Sequence, residues 1–175
     1  MRDTMFWPRI LMISGITTLG LTSLTEHALA QNKSLRDQLV GTWSLVANIN
    51  ETPDGTKRQP FGDSPKGVLI LEANGRYAQV FTRPGRPKFK SDNRLQGTPE
   101  EIKAAWDGAL AHFGTWSVAE ADKTVVLRVD GSFYPNQEGS EDKRTVSSVT
   151  PDELKFVNAA STAGGRTEAV FKRLQ

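Results

Sequence analysis

The sequence predicts an all-β protein: eight antiparallel strands closed in up-and-down order into a single barrel, with one short helix at about 98–110 between the third and fourth strands. Three observations carry this expectation. Short runs of alternating apolar and polar residues, separated by Gly, Pro, Asn and Asp, recur from residue 41 to the end of the chain. The runs follow in meander order with no crossover helix between them. Closing eight antiparallel strands also removes exposed edges and leaves an interior wide enough for side chains or one small ligand.

The first thirty residues read as a leader rather than as part of the barrel. Arg2 and Arg9, partly offset by Asp3, accompany a mostly apolar run from Ile10 to Leu21. Ala28-Leu29-Ala30 then supplies a small-x-small cleavage site, with the cut expected between Ala30 and Gln31. Ser, Thr and Gly interrupt the run, and it falls short of the roughly 20 residues that a membrane span needs. The expectation is a signal peptide at 1–30 and an exported domain at 31–175, periplasmic or secreted, with no stable membrane insertion after cleavage.

Composition excludes several classes of function. The chain has no cysteine, which rules out disulfides, thiol nucleophiles and thiolate metal sites. Of 22 basic and 20 acidic residues, removal of Arg2, Arg9, Asp3 and Glu26 leaves 20 and 18, so the net charge of +2 is unchanged and too small to point to nucleic acid. The one local imbalance is the loop from Arg83 to Arg94, where Arg83, Arg86, Lys88, Lys90 and Arg94 face only Asp92. Such runs are ordinarily solvated loops.

Each element has its own local signal. Residues 31–38 read as a polar lead-in. The first strand, 41–47, places Trp43, Leu45 and Ala47 on one face. After a loop containing Pro53-Asp54-Gly55 and Pro60-Phe61-Gly62, strands at 67–73 and 76–82 flank Asn74-Gly75. That pair suits a two-residue type I′ turn, in which both positions need positive φ. Thr98-Pro99-Glu100-Glu101 then opens the helix, with a capping Thr, Pro at the first helical position and Glu three residues after the cap. Ile102, Ala105, Trp106 and Ala109 share one face, so the helix is expected to lie against the barrel or across one end. In the strand at 112–118, Phe113, Thr115 and Ser117 oppose His112, Trp116 and Val118. At 123–130, Val125, Leu127 and Val129 alternate with Thr124, Val126, Arg128 and Asp130, and the apolar row is expected to face inward. Strands at 143–149, 154–158 and 167–174 complete the set, joined by a connector at 131–139, a Pro151-Asp152 turn and a small-residue turn at 161–166.

Several segments in order resemble a known family. Gly41-Thr42-Trp43 on the first strand resembles the lipocalin Gly-x-Trp signature, and Gly114-Thr115-Trp116 is a second Gly-x-Trp. Leu39–Val46, Pro60-Phe61-Gly62 with Pro65-Lys66-Gly67, Gly97–Glu101, Phe113–Trp116 and Gly131–Asn136 together look like the bacterial and fungal lipocalin-like domain family over nearly all of the mature chain. The resemblance implies a calycin-type barrel with a pocket, and no single agreed activity. It also implies that Trp43 closes one end of the barrel against a basic residue near the end of the last strand, for which Arg173 is the candidate. The chain departs from the family pattern where Leu127 and Arg128 replace a common His, and where Gln137 replaces a common aromatic after Pro135-Asn136.

The chemistry is thinner than the fold. His112 is the only histidine after processing, and one His without Cys builds no ordinary zinc site. A single His could hold haem, but nothing around His112 supports it, so neither metal nor cofactor is expected; the default is a histidine at the pocket edge or surface. No Gly-x-Ser-x-Gly elbow marks a nucleophile. Glu72 and Asp130 could face a cavity, although charged strand residues more often face solvent. Arg128 could anchor a carboxylate ligand, but only against the apolar-in preference of its neighbours. The aromatic residues Trp43, Tyr77, Phe81, Trp116, Phe133 and Tyr134, with His112 and Arg128, form the candidate ligand-binding set; the aromatics equally suit a plain core. Three readings therefore stand. A binder of a small hydrophobic or amphipathic molecule predicts an apolar cavity. A small-metabolite enzyme (cyclase, isomerase or hydrolase type), with His112, Tyr134 or Asp130 as first suspects, predicts polar groups meeting in that cavity with perturbed pKa values. A filled barrel serving as a structural or interaction module predicts no cavity.

Overall fold

The computed structural model describes residues 33–175. The leader and its cleavage site fall outside the described residues. A helical turn, α1 (Leu35–Leu39), precedes strand β1 (Gly41–Glu51) and a two-residue strand β2 (Lys57–Arg58). Strands β3 (Lys66–Leu71) and β4 (Arg76–Thr82) follow, then helix α2 (Pro99–Asp107), β5 (Ala109–Ala119), β6 (Thr124–Ser132), β7 (Glu141–Val149), β8 (Glu153–Asn158) and β9 (Arg166–Arg173).

The strands pair antiparallel with their chain neighbours, and β1 pairs with both β3 and β9, which closes the sheet. Eight strands form the barrel wall. The ninth, β2, is an addition that pairs only with the far end of β1, at Asn50↔Arg58 and Glu51↔Lys57. The predicted up-and-down barrel is therefore the observed one.

Inward alternation follows the sequence in most strands. Val125, Leu127 and Val129 are buried, as are Leu69 and Leu71 of β3, Tyr77 and Phe81 of β4, and Leu154 and Phe156 of β8. Burying side chains of this size stabilises the fold by roughly 1.5–3 kcal/mol each. One end of the barrel is plugged by Trp43, whose indole N–H donates to the Leu39 carbonyl at 2.9 Å. Arg173 covers this ring, as the resemblance implied: its guanidinium carbon lies 3.9 Å from the centroid.

The second Gly-x-Trp is used in the same way. Trp116 donates to the Glu72 carbonyl at 2.9 Å and carries the Arg36 guanidinium 4.5 Å above its ring. Arg36 belongs to α1, so the expected polar lead-in is in fact a capped helical turn. Ser34 accepts from the Asp37 N–H, and the Glu120 carboxylate accepts from the free N–H groups of Leu35 and Arg36.

Three local expectations need correction. Between β3 and β4 the turn is not type I′. Gly75 has φ +85°, but Asn74 does not share a positive φ. Gly75 N–H donates to Glu72 O at 3.0 Å and Glu72 N–H to Arg76 O at 2.9 Å, a three-residue loop over 73–75 that ends in a left-handed glycine. Ala73 supplies the extra residue, so only one position requires φ > 0.

Helix α2 carries the expected capping box, with Thr98 accepting from Glu101 N–H and Glu101 accepting from Thr98 N–H. It stops at Asp107 rather than near 110, because Ala109 already pairs with Thr82 in β5.

The helix also buries no residue: Ile102 and Trp106 remain exposed. Side chains of the basic loop pack on it instead, with Arg86 against Gly108 and donating to the Ala105 carbonyl. Among the described residues no helix is long and apolar enough to cross a membrane.

Candidate ligand cavity

Past the tryptophan plug the barrel hollows. A cavity of about 740 Å³ opens at the end bounded by α2, the β6–β7 connector and the β8–β9 loop. That lies within the roughly 300–1,000 Å³ typical of small-molecule sites. Phe61, Phe81, Leu110 and Phe156 supply apolar wall, and Trp106, Phe133 and Tyr134 stand at the mouth. Trp106 and Phe133 have ring centroids 4.9 Å apart, and Trp106 meets Tyr134 edge-on at 6.4 Å. The exposed aromatic face of α2 thus forms part of the cavity rim.

Among the phenylalanines, on the same strands, the lining is polar and internally bonded, with Gln79 two residues from Phe81 on β4 and Asn158 two residues from Phe156 on β8. Arg144 donates from Nε and Nη2 to Asp142 Oδ2, at 3.1 and 2.6 Å, and from Nη1 to Gln79 Oε1 at 2.6 Å. The other Asp142 oxygen accepts from Asn158 at 2.7 Å. Gln79 Nε2 lies 3.1 Å from His112 Nε2, and His112 Nδ1 lies 2.8 Å from the Tyr77 hydroxyl. Four strands, β4, β5, β7 and β8, contribute to this chain of contacts.

The bonding pattern sets the histidine tautomer. A guanidinium only donates, so Gln79 must present its carbonyl oxygen to Arg144 and its NH2 group to His112. His112 Nε2 is therefore the acceptor, Nδ1 carries the proton, and Nδ1–H donates to Tyr77. The titration behaviour has the same cause. Burial holds the His112 pKa down at about 4, reinforced by the Arg144 charge and opposed by Asp142. Burial raises the Tyr77 hydroxyl well above its usual range. Burial also pushes the Asp142 carboxyl up, but the charge and hydrogen bonds of Arg144 outweigh this and leave it below its ordinary value.

Asn48 also lines the cavity, and sequence alternation alone does not reveal it. In the first half of β1 the odd residues Trp43 and Leu45 point inward. A bulge between Leu45 and Ala47 then inserts one extra residue and reverses the phase, so Asn48 and Asn50 become the buried positions. Asn50 bonds the Gly164 carbonyl at 2.6 Å. The Asn48 side chain has no hydrogen-bond partner among the described residues, and only 7% of the residue is exposed. Among the described residues no fully buried side-chain N or O atom lacks a partner, so the Asn48 amide is open to the cavity it lines.

The sequence-derived set divides between three environments. Phe81, His112, Phe133 and Tyr134 line the cavity. Trp43, Tyr77 and Trp116 lie in the core, with Tyr77 touching the polar wall from behind. Arg128 lies on the outer surface, paired with Glu141 at 2.6 Å, because the apolar row of β6 takes the inside. His112, expected at the pocket edge or surface, is only 2% exposed. Glu72 and Asp130 are exposed; Asp130 pairs with Arg76 at 2.7 Å. Gln79, Arg144, Asp142 and Asn158 are not legible in the sequence because the bonds that join them into one wall run between strands, and Asn48 because the β1 bulge sets its direction. The only available signal was polar residues at inward positions of otherwise apolar strands. Among the described residues, no group of three or more His, Asp or Glu side chains is placed to hold a metal ion.

A closed eight-stranded antiparallel barrel with a tryptophan-plugged end and an open cavity defines a calycin-type barrel. In comparison with known families, residues 40–173 match the Lipocalin-like domain, and the chain belongs to that family. A 4'-hydroxy-3'-methoxypropiophenone carrier protein of Aspergillus oryzae is 36% identical over 75 residues, covering 39% of this chain and 67% of that protein. Among solved structures, a lipocalin-like protein from Bacteroides uniformis aligns with a TM-score of 0.43 at 14% identity, covering 78% of this chain and 99% of the other. A de novo designed fluorescence-activating β-barrel aligns with a TM-score of 0.42 at 14% identity, covering 81% and 99%.

Proposed function

We propose that this chain is an exported carrier that holds one small hydrophobic or amphipathic molecule inside the barrel. The observation that carries the reading is the open cavity of about 740 Å³, lined by both aromatic and polar side chains. An amphipathic molecule matches that mixed lining. The relative from Aspergillus oryzae, by its name a carrier of a small aromatic ketone, supports the same class of function. Export rests on the leader pattern and the Ala28-Leu29-Ala30 site. A filled structural barrel does not suit a cavity of this size.

The test is native mass spectrometry of the protein purified from its own host, with extraction of any bound molecule. A stoichiometric small-molecule adduct, on a chain whose amino terminus is Gln31, is the expected result. A clean apo mass, together with no binding of a fluorescent apolar probe, overturns the carrier. An intact leader overturns the export.

One observation favours a second reading. Tyr77 and His112 meet, and Asp142 joins them through Arg144 and Gln79, all three with displaced pKa values of the kind expected of an acid–base enzyme. Their bonding argues against it, since both nitrogens of His112 are already engaged by Tyr77 and Gln79. A general base needs a free lone pair within reach of its substrate, and here the partners would have to separate first. Turnover of a cavity-bound compound that is lost in His112→Gln but not in Phe81→Leu would establish the enzyme.

A further inference from the structure

We propose that the cavity selects an uncharged ligand bearing a hydroxyl or carbonyl group, and that the side-chain amide of Asn48 is the group that bonds it. This rests on the carrier reading and narrows it to a chemical class.

The polar wall looks charged in sequence but offers a ligand no free charge. Arg144 spends three of its nitrogens on Asp142 and Gln79. Asp142 spends one oxygen on Arg144 and the other on Asn158. The two side chains are 9% and 10% exposed, so their charges cancel at short range away from bulk water. Burial and the nearby Arg144 charge keep His112 neutral, and the Gln79 NH2 group faces its bare nitrogen. A carboxylate or ammonium entering here would lose its hydration without gaining a counter-ion, and would bind more weakly than a neutral molecule of the same shape. Charges nearer the mouth are matched too: Lys143 lies 3.7 Å from Glu141, and Asp107 pairs with Lys103.

Against this neutral background, and among the described residues, the Asn48 side chain has no hydrogen-bond partner at either end, while the equally buried Gln137 keeps an unspent NH2 group but commits its oxygen to Ser132. The Asn48 amide is inside the barrel, faces the cavity and has no protein partner among the described residues. Its position has a structural cause, since the β1 bulge turns a polar residue inward where unbroken alternation would have presented Ala47. Because the amide opens onto the cavity, a bound donor or acceptor can take the place of water there, whereas a purely apolar occupant would leave it unpaired. An amide both donates and accepts, so it serves a ligand hydroxyl or a ligand carbonyl. Phe81 and Phe156, which line the same cavity, provide apolar contact for the rest of such a molecule.

The test uses three probes of one shape: 2-naphthol, 2-naphthoate and naphthalene, titrated by fluorescence into the wild-type protein and into Asn48→Leu at pH 7.5. Wild type is expected to bind 2-naphthol at least about tenfold more tightly than 2-naphthoate. Asn48→Leu is expected to weaken 2-naphthol about tenfold, the worth of one hydrogen bond, and to leave naphthalene within about twofold. Equal or tighter binding of 2-naphthoate overturns the proposal, as does an Asn48→Leu variant that holds 2-naphthol unchanged or loses naphthalene equally. The naphthol-to-naphthoate ratio is read on wild type and needs no variant to fold. Failure of folded wild type to bind all three probes overturns the carrier reading itself.

Discussion

Arg173 lies over Trp43, its guanidinium carbon 3.9 Å from the ring centroid, and it donates to three carbonyl groups at once. These belong to Gln38 at 2.6 Å, Val40 at 2.8 Å and Pro151 at 2.5 Å. One side chain therefore ties the end of β9 to the exit of α1 and to the β7–β8 turn. Arg173→Ala is expected to cost about 2–4 kcal/mol, combining the cation–π contact with carbonyls left unpaired. Arg173→Lys should recover only part of this, because one ammonium cannot reproduce the planar fork. Urea denaturation followed by tryptophan fluorescence measures both; a loss under 1 kcal/mol for the alanine variant would show that the clasp is ornamental.

Gly114 is the least replaceable residue of the second Gly-x-Trp. It pairs with Tyr77 on one side and Val129 on the other, where β6 bulges around Asp130. A Cβ at 114 would collide with the Arg128 carbonyl oxygen and crowd the Asp130 N–H, both of them backbone. Side chains could yield to such a collision, but a paired strand cannot without breaking its ladder. Gly114→Ala is expected to destabilise the barrel by about 3 kcal/mol or more. Gly85→Ala is a useful contrast, since a Cβ at 85 meets nothing within 4 Å and the cost there comes only from a φ of +72°. A Gly114→Ala variant as stable as wild type by chemical denaturation would contradict this.

Legibility in the sequence follows how local each cause is. The Val125-Leu127-Val129 row and the Thr98–Glu101 capping box depend on residues within a few positions, and both were readable. Asn48 was not, because its direction depends on a bulge set by the pairing of β1 with β9, more than a hundred residues away in the chain. The polar wall was hidden for the same reason: Gln79 meets His112 and Arg144 only once β4, β5 and β7 lie within one barrel. Trp43 and Arg173 show the opposite case, where a family resemblance linked two distant positions that neither alternation nor spacing could connect.

Acid should weaken the fold through His112. In the unfolded chain this histidine has its ordinary pKa of 6.5, whereas in the barrel it is held at about 4. Between these values the unfolded chain binds a proton that the folded protein refuses, so stability falls as pH falls. The contribution is complete above 6.5 and is progressively lost down to about 4. From pH 7 to pH 5 the expected loss from this group is about 2 kcal/mol. The lowered Asp142 carboxyl acts in the same direction at still lower pH. Denaturation midpoints of wild type and His112→Gln, compared at pH 7 and pH 5, isolate the effect. Equal pH sensitivity in the two proteins would assign the acid loss to other groups.

The Arg144–Asp142 pair should behave as a unit. Arg144→Met leaves a carboxylate only 10% exposed without its cation, at an expected cost of about 3–5 kcal/mol. Asp142→Leu strands the guanidinium for a similar loss. The double variant removes both charges, so its cost should be well below the sum of the two, a coupling that double-mutant analysis reads directly. Arg144→Met has a second readout. With the cation gone and Asp142 still present, the charge that opposed protonation of His112 is replaced by one that favours it. The Gln79 amide also loses the donor that fixes its orientation and can turn its oxygen towards Nε2. The His112 pKa, followed by NMR titration of the ring protons, should therefore rise from about 4. A His112 titration unmoved by Arg144→Met, in a variant that still folds, would mean that burial alone keeps the ring neutral.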